Sequence, residues 1–118
     1  MPCELDTSEA GRHASRTRFD ELRQLVLLGA DAYPGHGAGA NARMSPLACL
    51  AHEFAHFERF QLGYQRPVTA PDNLLDEAET SLRASFLPVL ARRDREDLVE
   101  DARDRLIDWL AAQQQVEQ

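Results

Sequence analysis

Apolar residues recur at steps of three and four positions in four segments of the chain, and this spacing places them on one face of an α-helix. The four predicted helices cover approximately residues 17–33, 45–62, 72–87 and 93–112. No segment alternates convincingly between apolar and polar residues, as a half-buried strand would. The pattern therefore predicts an all-α fold, in which residues 17–118 form a single small four-helix domain.

The predicted helix boundaries coincide with residues that favour the start or the end of a helix. Ser45 can cap the second helix with its hydroxyl, and Pro46 suits the first helical position. Asp72 is placed to cap the third helix in the same way, and Pro88 ends or kinks that helix. These residues support the second and third predicted helices.

Two segments lack apolar periodicity. Residues 1–16 are rich in small and polar residues, which predicts a flexible N-terminal leader. Residues 34–41 contain the glycines of a phosphate-binding loop, but no strand precedes them and no Lys-Ser/Thr pair follows them. We interpret this stretch as a mobile loop, with His36 as its one chemically useful side chain.

Composition and charge exclude several classes of function. The 118 residues carry a formal net charge of -7, and all 13 basic residues are Arg. Most of these Arg lie among acidic residues, so the chain lacks the clustered positive charge of a nucleic-acid-binding surface. No apolar run approaches the ~20 residues that a membrane span requires. Because Cys3 and Cys49 lie far apart in different contexts, a disulfide is disfavoured, and we expect a cytoplasmic protein.

The predicted fourth helix combines a buried stripe with a charged face. The residues expected to be buried are Leu98, Ala102, Leu106, Trp109 and Leu110. The residues expected to face water are Asp94, Asp97, Asp101, Arg105 and Asp108. Much of the acidity of the chain is thus assigned to a solvated surface.

The most specific chemical signal is the segment His-Glu-x-x-His at residues 52–56, in the middle of the predicted second helix. His52 and His56 lie one helical turn apart, so both imidazoles project to the same side and can share a metal ion. Glu53 lies on the flank of the pair, within reach of a water molecule at that metal. The spacing favours a metal site with a carboxylate beside it.

The surroundings of the two histidines also favour metal ligation. The core stripe predicted for this helix consists of Leu47, Leu50, Ala51, Phe54 and Phe57. His52 and His56 project on the opposite side, beside Cys49 and Phe60. Apolar neighbours are unexpected for a solvent-exposed pair, and two imidazoles in a core would each need hydrogen-bond partners.

Together with acidic residues downstream, this motif resembles the gluzincin class of zinc metallopeptidases. In that class a Glu some twenty or more residues later, commonly in an Asn/Asp-Glu-Ala context on the next helix, supplies the third ligand. The matching residues here are Asp76-Glu77-Ala78, and the resemblance covers about residues 49–81. It implies Zn²⁺ held by His52, His56 and Glu77, with Glu53 as general base and a peptide or protein as substrate.

Glu79 competes with Glu77 for the role of third ligand. The apolar stripe predicted for the third helix consists of Leu75, Ala78, Leu82, Phe86 and Val89. Glu79 lies near that stripe, whereas Glu77 lies away from it. Because a charge on an apolar face must be paired or bound to a metal, burial favours Glu79 while the spacing of the family favours Glu77. We take Glu77 as the ligand and Glu79 as the alternative, with Asp76 and Ser81 as supporting residues behind the ligands.

The resemblance implies two further features that the sequence does not show clearly. These are a sheet whose edge strand aligns the peptide, and a separate His, Tyr or Arg that stabilises the oxyanion. The candidates for oxyanion or substrate contacts are Tyr64, His36 and Tyr33. A partner subunit is the alternative source of such groups.

Two other functions are compatible with the sequence. Glu53-x-x-His56 also matches the ligand pair of ferritin-like carboxylate metal proteins, and a symmetric dimer could supply a second pair, with Glu21 as an extra ligand. That interpretation leaves His52 without a role. In the third alternative, the chain is a non-catalytic, metal-stabilised interaction module whose acidic fourth helix docks a partner.

Overall fold

The computed structural model describes residues 3–8, 17–29 and 44–117, in which three short strands precede three helices. The strands are β1 (Glu4–Asp6), β2 (Arg18–Asp20) and β3 (Leu25–Leu27). The helices are α1 (Pro46–Gln61), α2 (Asp72–Ala84) and α3 (Arg92–Glu117). The second, third and fourth predicted helices therefore form, and they differ from the prediction mainly at their C-terminal ends. Within these residues, none of the helices has the length and apolar character needed to cross a bilayer.

The prediction of an all-α, four-helix domain is wrong, because the described part of the first predicted helix is a β-hairpin. β2 and β3 pair antiparallel with Phe19 opposite Val26, across a turn in which Gln24 has a positive φ of 51°. Apolar residues at positions 19, 22 and 26 satisfy the spacing of a helix, but Leu22 is 98% exposed and lies in the turn. The apolar run Leu25–Leu27 instead fits a buried strand.

The remaining strand, β1, lies within the segment 1–16 that was predicted to be a leader. β1 pairs parallel with β3, with Leu5 opposite Val26, which gives the strand order β1-β3-β2. β2 is thus an edge strand of the described sheet. Residues 9–16 of the predicted leader and the Gly-rich stretch 34–41 lie outside the described residues.

Helix α1 lies between the sheet and the other two helices. On the sheet side, Phe57 joins Phe19 and Val26 in an apolar cluster, and the rings of the two phenylalanines are 6.0 Å apart and nearly perpendicular. The cluster on the helix side consists of Met44, Ala48, Ala51, Ala55, Ala84, Leu90 and Leu98. The alanines let the three helices approach one another closely. Both sides of α1 are therefore covered, and its middle turns are removed from bulk water.

The start of α1 is capped as the sequence predicts, and it is also tied to α3. Ser45 Oγ accepts a hydrogen bond from the backbone N–H of Ala48 at 3.1 Å, and Pro46 follows directly. The Ser45 hydroxyl donates to Asp94 Oδ1 at 2.6 Å, and the Ser45 backbone N–H donates to Asp97 Oδ2 at 2.9 Å. Asp94 is buried, so the prediction that it faces water is wrong.

Ser45→Ala should lower the free energy of unfolding of the metal-free protein by about 1–2 kcal/mol. The substitution removes the N-cap acceptor of α1 and also leaves buried Asp94 without its hydroxyl donor. Urea denaturation followed by circular dichroism measures the change. An unaltered transition midpoint would show that this junction between α1 and α3 does not stabilise the fold.

Helices α2 and α3 run antiparallel, since Ser81 contacts Asp101 while the earlier Glu77 contacts the later Arg105. The buried residues of α2 are Asp76, Ala78, Thr80, Ser81 and Ala84. The apolar stripe predicted for this helix is wrong for Leu82, Phe86 and Val89, which are exposed, whereas Ala78 is buried as predicted. Helix α2 therefore buries a largely polar face, and the candidate site lies on that face.

Candidate metal centre

Two residues of α1 and one of α2 converge on a common point. His52 and His56 lie one turn apart, their ring centroids are 4.7 Å apart, and both side chains are buried. His52 Nε2 lies 3.1 Å from Glu77 Oε2, and His56 Nε2 lies 3.0 Å from Glu77 Oε1. The three ligand atoms lie within 4.8 Å of one another. These residues could therefore hold a metal ion.

Hydrogen bonds behind His52 determine which of its ring nitrogens carries the proton. Ser81 Oγ donates to Asp101 Oδ2 at 2.5 Å, and the same carboxylate oxygen accepts from Arg105 Nε at 2.8 Å. The single hydroxyl proton of Ser81 is thus committed to Asp101. His52 Nδ1, 2.7 Å from Ser81 Oγ, must then be the donor in that contact. In the neutral ring, the lone pair of His52 Nε2 then faces Glu77.

Thr80, which precedes Ser81 in α2, orients the His56 ring in the same sense. The Thr80 hydroxyl donates to the backbone carbonyl of Asp76 at 2.8 Å, and its oxygen accepts from Arg59 Nη1 at 2.7 Å. Because its proton is committed, Thr80 Oγ1 can only accept from His56 Nδ1, at a longer distance of 3.4 Å. The Nε2 lone pair of His56 therefore also faces Glu77.

This convergence of electron-pair donors fits a metal ion. When both rings are neutral, no hydrogen lies between either Nε2 atom and the Glu77 carboxylate, although the contacts are as short as hydrogen bonds. Burial lowers the pKa of His56 against the opposing effect of Glu77, which disfavours a second proton on that ring. Two imidazole nitrogens and a carboxylate oxygen form a donor set suited to first-row divalent ions such as Zn²⁺.

Glu77 is held ionised by its neighbours. Burial raises the pKa of Glu77, but His52 and His56, where they are protonated and donate to the carboxylate, outweigh this effect and hold the pKa well below its usual range. Each carboxylate oxygen also contacts a guanidinium: Arg66 Nη2 lies 2.8 Å from Oε1, and Arg105 Nη1 lies 3.3 Å from Oε2. The two arginines fix the orientation of the carboxylate as well as its charge.

Glu53 lies next to His52 in α1 and is buried. The pKa of Glu53 is raised to about 7: burial raises it most, the charge of a protonated His52 opposes this, and the Glu77 carboxylate adds to the rise. A hydrogen bond from the backbone N–H of Phe19 in β2 acts in the lowering direction. Glu53 therefore lies where the edge strand meets α1, and a carboxyl group with this pKa can exchange a proton at neutral pH.

The remaining predicted residues lie apart from this cluster or outside the described residues. Glu79 is 51% exposed, compared with 20% for Glu77, and its Oε2 lies 3.0 Å from Arg59 Nη2. Tyr64 is also exposed, and the Arg59 guanidinium lies 4.0 Å from its ring centroid. Tyr33 and His36 lie outside the described residues.

The two supporting residues that the sequence suggested have different surroundings. Ser81 contacts His52 directly, with 2.7 Å between Ser81 Oγ and His52 Nδ1. Asp76 is buried between two arginines instead, with Oδ1 3.1 Å from Arg59 Nη1 and Oδ2 3.6 Å from Arg66 Nε. Asp76 therefore supports the cations around the site and not a ligand.

Sequence reasoning missed three charged residues around Glu77 and His52. Asp101 and Arg105 of α3 were expected to face water, and that prediction is wrong for Asp101, which is buried. The sequence did indicate that Asp101 and Arg105 lie on the buried face of the helix. The i, i+3, i+4, i+7 spacing of one helical face is followed by Leu98, Asp101, Ala102 and Arg105. An acid and a base on the same face as a buried stripe indicate an internal ion pair. No comparable pattern marks Arg66, which lies in the connection between α1 and α2.

Comparisons with models of known protein families, with curated proteins and with solved structures gave no match for this chain.

Proposed function

We propose that this protein is a zinc-dependent metallopeptidase, in which His52, His56 and Glu77 bind Zn²⁺ and Glu53 is the general base. The observation that carries the proposal is that ligand atoms of His52, His56 and Glu77 lie within 4.8 Å of one another, with Glu53 on the adjacent position of α1. A three-ligand set of two His and one Glu leaves a coordination position open, which is typical of catalytic zinc and not of structural zinc.

The residues of the site divide the reaction between them. When bound, Zn²⁺ would lower the pKa of a water molecule to about 7 and polarise the scissile carbonyl. Glu53 accepts a proton from the attacking water as the new C–O bond forms at the carbonyl carbon. It then gives that proton to the amine nitrogen as the C–N bond breaks. The raised pKa of Glu53 suits both steps near neutral pH.

Arg66 is the described side chain best placed to stabilise negative charge on the substrate. It contacts the ligand Glu77 and is 30% exposed, so its guanidinium is available both to the site and to solvent. The Tyr64 ring instead packs against Arg59, whose guanidinium pairs with Asp76 and Glu79 and not with Glu77. We therefore favour Arg66 over Tyr64 for the oxyanion contact.

The sheet supplies a feature that the sequence did not reveal. β2 is an edge strand of the described sheet and packs against α1 beside Glu53. In the class that the motif resembles, an edge strand in such a position aligns an extended peptide. This arrangement supports a peptide or protein substrate.

The two alternatives account for less of the structure. A ferritin-like di-metal centre requires more carboxylate ligands than the one Glu in the described three-residue group, and Glu21 lies in the turn between β2 and β3. A metal-stabilised interaction module does not require a buried carboxylate of raised pKa beside the ligands. Only the peptidase gives roles to both His52 and Glu53.

Elemental analysis of the purified protein tests the metal site directly. We expect about one zinc per chain, and we expect none in His52→Ala, because two of three protein ligands cannot retain the ion. Digestion of a mixed peptide library, followed by mass spectrometry, tests hydrolysis by the zinc-loaded protein. A wild-type protein that binds no zinc on titration, or that contains two irons per dimer, would contradict the proposal.

A further inference from the structure

A buried chain of polar contacts runs from α3 through α2 to a histidine of α1. Its members are Asp101, Ser81 and His52, all of them buried. The two contacts are 2.5 Å between Ser81 Oγ and Asp101 Oδ2 and 2.7 Å between Ser81 Oγ and His52 Nδ1. Both are at the short end of the range for their donor types, and the first of them ends on the Asp101 carboxylate.

The ion pair between Asp101 and Arg105 does not by itself explain the hydrogen bond from Ser81 to Asp101. Arg105 Nε donates to Asp101 Oδ2 at 2.8 Å, which would compensate the buried carboxylate without any serine. The same oxygen nevertheless accepts the Ser81 hydroxyl, so the hydroxyl is held in one orientation. With its proton fixed on Asp101, Ser81 presents a lone pair to His52 and can be only an acceptor there.

We propose that Asp101 is a positioning residue for the metal ligand His52 and that it acts through Ser81. The carboxylate fixes the Ser81 hydroxyl, and that hydroxyl holds the His52 ring with Nδ1 protonated and Nε2 free to bind the metal. Helix α3, which contributes no ligand of its own, thereby takes part in metal binding. The inference rests on the metal site of the proposed function, but it does not depend on peptide hydrolysis.

The second histidine provides an internal comparison. His56 is also backed by a hydroxyl, but that of Thr80 receives a guanidinium N–H from Arg59 and its contact with Nδ1 is 3.4 Å long. A hydroxyl next to a cation is a weaker acceptor than a hydroxyl that donates to a carboxylate. Removal of the Ser81 hydroxyl should therefore weaken zinc binding more than removal of the Thr80 hydroxyl.

The experiment is a double-mutant cycle on zinc affinity, measured by competition with a chromophoric chelator. Ser81→Ala and Asp101→Asn should each weaken binding about 10- to 100-fold, the usual effect of losing a residue behind a metal ligand. If Asp101 acts through Ser81, then Asp101→Asn should weaken binding by less than about twofold in the Ser81→Ala background. A route from Asp101 through Arg105 to Glu77 would persist without Ser81, so additive losses would overturn the proposal.

Asp94→Asn is the matched control. Asp94 is also a buried aspartate of α3 that accepts a serine hydroxyl, but its partner Ser45 caps α1 instead of contacting a ligand. Zinc affinity should change by less than about twofold in this variant, even where the protein is destabilised. An equal loss of zinc affinity in Asp94→Asn and Asp101→Asn would reduce Asp101 to a structural role and overturn the proposal.

A spectroscopic measurement keeps the proposal testable if a variant does not fold. The ¹⁵N shifts of the His52 ring in the metal-free wild-type protein should show a proton on Nδ1. A neutral His52 ring protonated on Nε2 would overturn the proposal that Asp101 positions His52 through Ser81. A protein that binds no zinc contradicts the metal site and this role together, whereas a protein that binds zinc but cleaves no peptide contradicts the peptidase alone.

Discussion

Glu53→Gln should leave zinc affinity within about twofold of the wild type and lower the rate of peptide hydrolysis about 10²- to 10⁴-fold. Glutamine has nearly the same size as glutamate, and Glu53 is not one of the three converging ligands, so the metal site should stay intact. The amide cannot accept the proton of the attacking water. Hydrolysis of a peptide identified in the library digestion, at matched zinc occupancy, measures the effect.

Glu58→Gln is the control for this substitution. It makes the same chemical change on the same helix, at a partly exposed carboxylate that pairs with Arg83 at 3.5 Å. Zinc affinity and hydrolysis should both be unchanged. If Glu53→Gln retained full activity, Glu53 would not be the general base, and if it lost zinc, Glu53 would have to be counted among the ligands.

The local features of the site could be predicted from the sequence because they depend on one helix. The start of α1 follows from a serine and a proline at adjacent positions, and both are found where the pattern puts them. The spacing of His52 and His56 then follows from helix geometry alone. Nothing beyond the segment 45–62 is needed for either inference.

The fold class could not be predicted in the same way, because it depends on pairing between distant segments. Each strand is three residues long, too short to show an alternating pattern. β1 and β3 pair in parallel although a whole hairpin strand lies between them in sequence. Leu22 completed an apparent helical spacing, and only the structure shows that this side chain is exposed in a turn.

For the third candidate ligand, the burial of apolar residues and the spacing of the motif predict different residues. The apolar stripe assigned to the third helix placed Glu79 near the core, yet Leu82 and Phe86 of that stripe are exposed. Helix α2 instead buries the polar residues that contact the ligands, because Arg59, Arg66 and Arg105 compensate the charges buried there. A rule that buries apolar residues cannot anticipate such a face, whereas the spacing of the motif pointed to Glu77.

Glu77→Gln should reduce zinc affinity by more than about 100-fold, which is the upper limit expected for residues that only support a ligand. The substitution replaces an anionic ligand with a neutral amide. It also removes the carboxylate that Arg66 contacts at 2.8 Å and Arg105 at 3.3 Å. Loss of these charge-assisted contacts should lower the free energy of unfolding of the metal-free protein by about 1–3 kcal/mol.

Glu79→Gln tests whether Glu77 or Glu79, two residues further along α2, is the carboxylate ligand. Glu79 is half-exposed and bound to Arg59, so its neutralisation should change zinc affinity by less than about twofold and stability by less than about 0.5 kcal/mol. Chelator competition and urea denaturation on the two variants give both quantities. A larger loss of zinc affinity in Glu79→Gln than in Glu77→Gln would identify Glu79 as the ligand instead of Glu77. Glu79 could reach the histidines only if α2 turned about its axis when the metal binds. Equal, small losses in both variants would leave His52 and His56 without a carboxylate partner from α2, and the three-ligand site would then be wrong.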